Sequence, residues 1–332
     1  MSSVVNVAIH ASQSPENVRR DLLESLRMRR VNHKFHYDSV KQTQKWLALH
    51  QIYSPTRNDA DCQATYEQAF ATAAAQIQSP SVNLIGLGCG GGQKDTRLLN
   101  LLKARSPELF YTPCDVSVAM TLVARQTALS VIAEENCFPF VCDLATADDL
   151  PAAFAQSLAP DTPRLITFFG MIPNFEPQFI LPKLASLIRP QDWLLFSANL
   201  APGADYAAGM KTILPQYDNT PTREWLLTFL FDLGVESGDG ELRFGIEAAG
   251  ASGLQRVAAD FHFSRTQRIE VEGEKFDFGS GDAIRLFFSY RYKPERVRAA
   301  LERYGLEICG QWITRSEEEG VFLCRRLPTP KN

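Results

Sequence analysis

No basic tract runs through this chain, no stretch approaches the roughly 18 apolar residues of a membrane-spanning helix, and no basic start with an apolar core opens it as in a secretory leader. A net charge of −4 leaves no electrostatic footprint for DNA or RNA. The expectation is a cytoplasmic protein with neither a membrane nor a nucleic-acid partner. Close cysteine spacing is also missing. The seven cysteines, at 62, 89, 114, 137, 142, 309 and 324, are odd in number and form no CxxC pair, so they read as reduced, mostly buried thiols with no metal role. Histidine is scarce, at five residues, and nothing completes a metal site around the HxxH of His33 and His36, which reads as structural or solvent-facing. No repeat or low-complexity stretch organises the chain.

What is present is an alternation of strand-like and helix-like segments. Ser14, Pro15 and Glu16 open a helix carrying Val18, Leu22 and Leu26 at helical spacing, and a second spans Val40 to His50. Between and after them, the pieces VNHKFHYDS and IYSPTRND read as irregular, with Pro55 and Asn58 interrupting helix. A helix from Asp59 to about Gln76 leads into apolar β runs at Val82 to Gly88, Leu109 to Val116, Phe138 to Cys142, Leu165 to Phe169 and Trp193 to Ser197, separated by helix-length segments. Five such strands imply a parallel sheet of the doubly wound α/β class. From Leu200 to Asp282 the rhythm breaks into two helices and antiparallel-looking pieces. It resumes with the strand IRLFFSYRY, a helix from Pro294 and a terminal hairpin. The expected division is therefore a Rossmann-like domain of residues 60–199 and 283–332, and a smaller discontinuous α+β domain of 1–59 and 200–282 that caps the sheet's carboxyl edge and binds substrate.

Ligands of such sheets sit beyond the carboxyl ends of the strands, beside the first one. Here that place is Ile85 to Arg97, where Gly88 and Gly90 let the backbone approach a ligand and the next helix offers free N–H groups to a carboxylate. Asp115 ends the second strand about 25 residues past the turn, placed to accept from both ribose hydroxyls. Asp143 ends the third, placed for an adenine amino group, with Leu144 against the ring. Acids ending both strands suit an adenosine without a pyrophosphate, which favours S-adenosylmethionine (SAM) over NAD.

These residues belong to a longer series: Lys34-Phe35-His36-Tyr37-Asp38, Tyr53-Ser54-Pro55-Thr56-Arg57, Leu87-Gly88-Cys89-Gly90 with Lys94, Thr96 and Arg97, Pro113-Cys114-Asp115-Val116, and Phe168-Phe169-Gly170 before Asn174. In order and approximate spacing this resembles the histidine-specific, SAM-dependent methyltransferases of ergothioneine biosynthesis, over nearly the whole chain. The resemblance implies that Gly88, Gly90, Lys94, Asp115 and Asp143 bind SAM, and that Tyr37, Tyr53, Asn174 and Tyr217 hold the α-amine and carboxylate of an amino acid. Tyr37 would be the orienting catalytic group.

The chain departs from the family at four places. Gly86 stands where the family usually has an acid, one residue is inserted at Asp95, and the loop between Gly170 and Asn174 is one residue shorter. On the strand before Lys293 and Pro294 the family carries Glu, one residue, then Ser, with Glu facing the imidazole of histidine. This chain has Phe287 in the Glu position and keeps Ser289. The expected activity is methylation of the α-amine of an amino acid with an aromatic or apolar side chain, by a monomer or weak homodimer. The alternatives are methylation of histidine itself, with Asp260 or another acid in place of the missing Glu, a catalytically silent SAM-binding protein, and, more distantly, a nicotinamide dehydrogenase.

Overall fold

A computed structural model describes residues 4–54, 58–156, 161–249 and 253–327. Pro55, Thr56 and Arg57, the end of one expected motif, lie outside the described residues. Packing divides the chain into two units, residues 1–13, 55–200 and 292–332, and residues 14–54 and 201–291.

The first unit is built on an eight-stranded sheet, in the order Ala8–Ile9, Phe140–Val141, Glu108–Asp115, Ser81–Leu87, Arg164–Phe168, Trp193–Asn199, Glu319–Arg326 and Leu306–Ile313. Neighbours are parallel from the first strand to the sixth and antiparallel beyond. The five expected parallel strands are all present, with a two-residue strand at Ala8–Ile9 added on one edge. This is a doubly wound α/β sheet with an antiparallel end. Its central strands are almost wholly buried because helices cover a parallel sheet on both faces, so they read as apolar runs and not as alternation.

Helix starts follow local chemistry. Asp59 accepts from the amides of Asp61 and Cys62 to open Ala60–Gln76, and Ser117 accepts from that of Met120 to open Val118–Ala128. The helix Gln93–Lys103 differs, for its cap is Gly92 at φ 73° with no side-chain hydrogen bond to the first amides. Tyr66, Phe70 and Ala73 on Ala60–Gln76, the expected buried face, pack in the core with Leu98, Leu99 and Leu102.

The second unit holds the helices Pro15–Arg27, Val40–Tyr53, Tyr206–Ile213 and Thr220–Asp232. With them are a three-stranded antiparallel sheet, Ala283–Arg291 beside Leu254–Phe263 beside Gly240–Ala249, and a two-stranded ribbon, Gln267–Val271 with Glu274–Phe278. Its core gathers Leu26, Phe35, Trp225, Phe229, Phe261 and Phe287 among others.

Two assignments from sequence are corrected here. The run IRLFFSYRY does not rejoin the parallel sheet, because Ala283–Arg291 pairs antiparallel with Leu254–Phe263 and belongs to the second unit. Residues 4–13 go with the first unit instead, because Ala8 and Ile9 pair with Phe140 and Val141. An apolar run tells how deeply a strand is buried, not which sheet it joins.

Candidate active site

In the first unit the chain leaves Ser81–Leu87 through a turn in which Gly88, Gly90 and Gly92 have φ of 61°, 52° and 73°. Side chains rarely adopt that conformation. A Cβ on Gly88 would also lie 2.6 Å from the side chain of Met171. The turn is tied to the neighbouring strand, as Cys89 donates its amide to the Cys114 carbonyl at 3.0 Å and Gly90 donates to Asp115 Oδ2 at 3.1 Å. Asp115 Oδ1 accepts from the amide of Ser117 at 3.1 Å. A carboxylate has about four acceptor positions, so acceptor capacity remains for a hydroxyl donor after these bonds. Burial pushes the Asp115 carboxyl up to about 6, against the pull of the Ser117, Gly90 and Val116 amides. Asp143, two residues past Phe140–Val141, accepts from the amide of Ala145 at Oδ1, and its own amide donates to Ser12 Oγ. Leu144 beside it is buried. Gly88, Gly90 and Asp115 thus meet in one turn, with Asp143 at the end of the adjacent strand.

Lys94 is engaged elsewhere. Its ammonium is buried 4.1 Å above the Tyr66 ring, donates to the Tyr66 hydroxyl at 2.9 Å, and burial lowers its pKa. Tyr66 in turn donates to Glu319. Asn174 closes a short 3₁₀ turn, Ile172–Asn174, after Arg164–Phe168.

Position 86 has a physical answer. A Cβ there would come within 2.0 Å of Asp95 Oδ2, so glycine is required because the Asp95 carboxylate fills that space. The buried Asp95 accepts from Tyr111 Oη at 2.7 Å and from Thr167 Oγ1 at 2.7 Å, and burial pushes its carboxyl up to about 6. The absence of a side chain at 86 and the acid at 95 are thus parts of one packing arrangement. The sequence holds both signals, Gly86 and the extra Asp95, but not their proximity.

The second unit brings together Tyr37, Tyr217, Phe287 and Ser289. Tyr217 Oη donates to Ser289 Oγ at 2.8 Å and accepts from Arg291 Nε and Nη2 at 3.2 and 3.0 Å. One donor and two lone pairs are all that a phenol has, and all three are used. Arg291 is a residue that the sequence reading missed. The Phe287 ring lies 6.1 Å from that of Tyr217 and 6.0 Å from that of Trp225, and Tyr37 packs against Trp225 and Trp46 at 5.4 and 6.0 Å. A β-bulge at Leu286 shifts the register between Arg285 and Phe287, and His36 Nε2 donates to the carbonyl of Leu286 at 2.7 Å. Burial lowers the pKa of His36 to about 4, so its ring is neutral. Tyr53 ends its helix half-exposed, apart from the rings named above. Asp260 is held by Arg285, at 2.6 Å from Nε and 3.0 Å from Nη2.

Residues 18–326 match the family model described as histidine-specific methyltransferase, SAM-dependent. The chain belongs to this family. Among curated proteins it is 24% identical to histidine N-alpha-methyltransferase of Mycobacterium tuberculosis (strain CDC 1551 / Oshkosh), covering 97% of this chain and 99% of that one. Among solved structures it is similar to a magnesium protoporphyrin IX methyltransferase from Synechocystis PCC 6803 with bound SAH (TM-score 0.48, 15% identity, 88% and 96% covered). It is also similar to a SAM-dependent methyltransferase from Clostridium acetobutylicum ATCC 824 (0.46, 14%, 85% and 99%). The protein is a SAM-dependent methyltransferase, and the glycine turn with its buried acids fits the cofactor: close backbone approach, unused acceptors at Asp115 and an uncapped helix start.

Two outcomes follow for the family member described here. Asp115→Ala should weaken SAM binding by about one to two orders of magnitude, since charge-assisted hydrogen bonds contribute roughly 1.5–3 kcal/mol each, and calorimetric titration measures it. Asp95 titrates near 6 when folded, above the ordinary 3.8, so the folded state holds its proton more tightly than the unfolded chain does. The stability this contributes is present below about pH 4 and lost as pH rises through 6. Asp95→Asn should therefore raise the Tm of the cofactor-free protein at pH 7 to 8, by on the order of 3 kcal/mol at most, with the difference vanishing toward pH 4 in a thermal melt series.

Proposed function

We propose that this methyltransferase acts on the α-amine of a free amino acid with an aromatic or apolar side chain. The observation that carries this reading is Phe287, a buried ring beside Tyr217 and Trp225 at the position where the resemblance puts the Glu that faces the imidazole of histidine. An imidazole N–H set against a phenyl ring loses its acceptor, at a cost of about 1–3 kcal/mol. Asp260 is committed to a two-point ion pair with Arg285, which accounts for its place there without a substrate.

SAM supplies a methyl group on a sulfonium, open to in-line displacement by an amine. The protein's part is alignment, and no covalent nucleophile is required. Holding reacting atoms near attack distance contributes on the order of 7–11 kcal/mol. Tyr37 is assigned to orient the amine through its hydroxyl, while its ring is fixed between Trp46 and Trp225. An amino-terminal group has a reference pKa of roughly 7.7–8.0, so solvent can take the proton that must leave before attack. Tyr217 is assigned to the carboxylate. Tyr217 can serve it only by turning its O–H away from Ser289, after which the Arg291 guanidinium still supports its oxygen.

Histidine itself is the second reading, favoured by the family's description and by the curated relative. The two separate in kcat/KM over a panel of free amino acids. An aromatic or apolar amino acid should outcompete histidine, and Phe287→Glu should shift the preference back toward it. A wild type that prefers histidine overturns the first reading.

A further inference from the structure

We propose that the imidazole of His33 reads the acceptor's side chain through a neutral N–H or O–H on its ring, selecting amino acids of the tryptophan and tyrosine kind over those of the phenylalanine and leucine kind. This rests on the reading above and narrows it.

His33 opens the 3₁₀ turn His33–His36, in the segment that runs beside the bulged strand, where Val31 donates its amide to the Arg285 carbonyl at 2.8 Å and Arg285 donates to the Arg29 carbonyl at 2.9 Å. Its ring stacks on Phe287, with centroids 5.3 Å apart and planes 18° from parallel, and meets Phe288 at 4.6 Å. Both ring nitrogens are buried, and neither has a hydrogen-bond partner. A neutral imidazole carries one N–H and one lone pair. Leaving either unpaired in the interior costs about 1–3 kcal/mol, and buried polar atoms of folded proteins are nearly all paired. His36, in the same turn, spends one nitrogen on the Leu286 carbonyl and leaves only the other unpaired. His33 has no such use, and it lies against the residue assigned to face the substrate.

The charges around it decide what it can read. Burial, His36, Arg30 and Arg256 all hold the His33 pKa well below its ordinary value, so the ring is neutral. The Arg30 and Arg256 guanidiniums each stand 4.8 Å from the centre of the Phe288 ring. Arg256 is paired with Glu247 at 2.5 Å, so its charge is already matched, and a neutral donor is the better complement to the neutral ring. An indole N–H or a phenol O–H adds no charge, offers the donor that the His33 lone pair lacks, and brings a flat ring suited to pack among Phe287, Tyr217 and Trp225. Phenylalanine and leucine would pack equally well but leave the imidazole unpaired.

The test compares kcat/KM for tryptophan, tyrosine, phenylalanine, leucine and histidine in the wild type and in His33→Phe, which keeps a ring on Phe287 and removes the nitrogens. The wild type should favour tryptophan or tyrosine over phenylalanine by about 5- to 150-fold, expressed in KM, which is the unpaired-group cost converted to affinity. His33→Phe should bring that ratio close to one, with turnover of phenylalanine and calorimetric SAM affinity retained. His33→Asn, which restores a donor and an acceptor without the ring, should recover part of the ratio. A purely structural role predicts neither change. An unchanged ratio in His33→Phe overturns the assignment to His33 and leaves amino-acid methylation standing. A wild type that methylates no amino acid in the panel overturns both.

Discussion

Gly90 donates its amide to the Asp115 carboxylate across the carboxyl ends of two adjacent parallel strands, and the first unit is arranged around that contact. To make it, the chain must turn three times through left-handed backbone, at Gly88, Gly90 and Gly92, which only glycine does without strain. Gly92 in addition has no room for a side chain, since a Cβ would lie 2.7 Å from Ala124 Cα. The turn delivers the helix Gln93–Lys103 with its first amides uncapped, so the same geometry that buries an acid also exposes donors. A carboxylate and a set of free amides at opposite sides of one loop suit a ligand with hydroxyls at one end and a carboxylate at the other.

That arrangement is expensive for the empty protein. Asp115 and Asp95 are both buried and both pushed up to about 6, and Tyr111, which donates to Asp95, is itself held well above its ordinary value by burial and by that acid. Groups kept in a state that the fold disfavours are a mark of function more than of stability. Positions 86 and 95 fit this view, because the glycine leaves room for the buried acid Asp95.

Much of this was legible in the sequence. The β–turn–α unit, the acids ending the second and third strands and the order of the motifs all follow from local pattern, because each depends on residues close together in the chain. What was not legible depends on residues far apart. Asp95 filling the space beside Gly86 and held by Tyr111 and Thr167, Lys94 turned to Tyr66, and Arg291 backing Tyr217 are contacts that no spacing rule contains. The strand Ala283–Arg291 was recognised as a strand and placed in the wrong sheet for the same reason. The HxxH of His33 and His36 reads from sequence as structural or solvent-facing, without the contacts that either ring makes. In the structure one ring pins a bulge, and the other lies against Phe287.

The second unit gathers aromatic rings around Phe287. On the proposed reading, specificity there depends on which hydrogen bonds the rings leave unmade, and cofactor capture on protons held by buried acids. The latter is open to direct measurement by titrating S-adenosylhomocysteine calorimetrically near pH 6 in two buffers of different ionisation enthalpy. Hydroxyl donors arriving at Asp115 favour its ionised form, so binding should release protons near pH 6, the release should fade by pH 8, and Asp115→Ala should reduce it. Binding that exchanges no protons at pH 6 would contradict the claim that buried, partly protonated acids are held in wait for the cofactor.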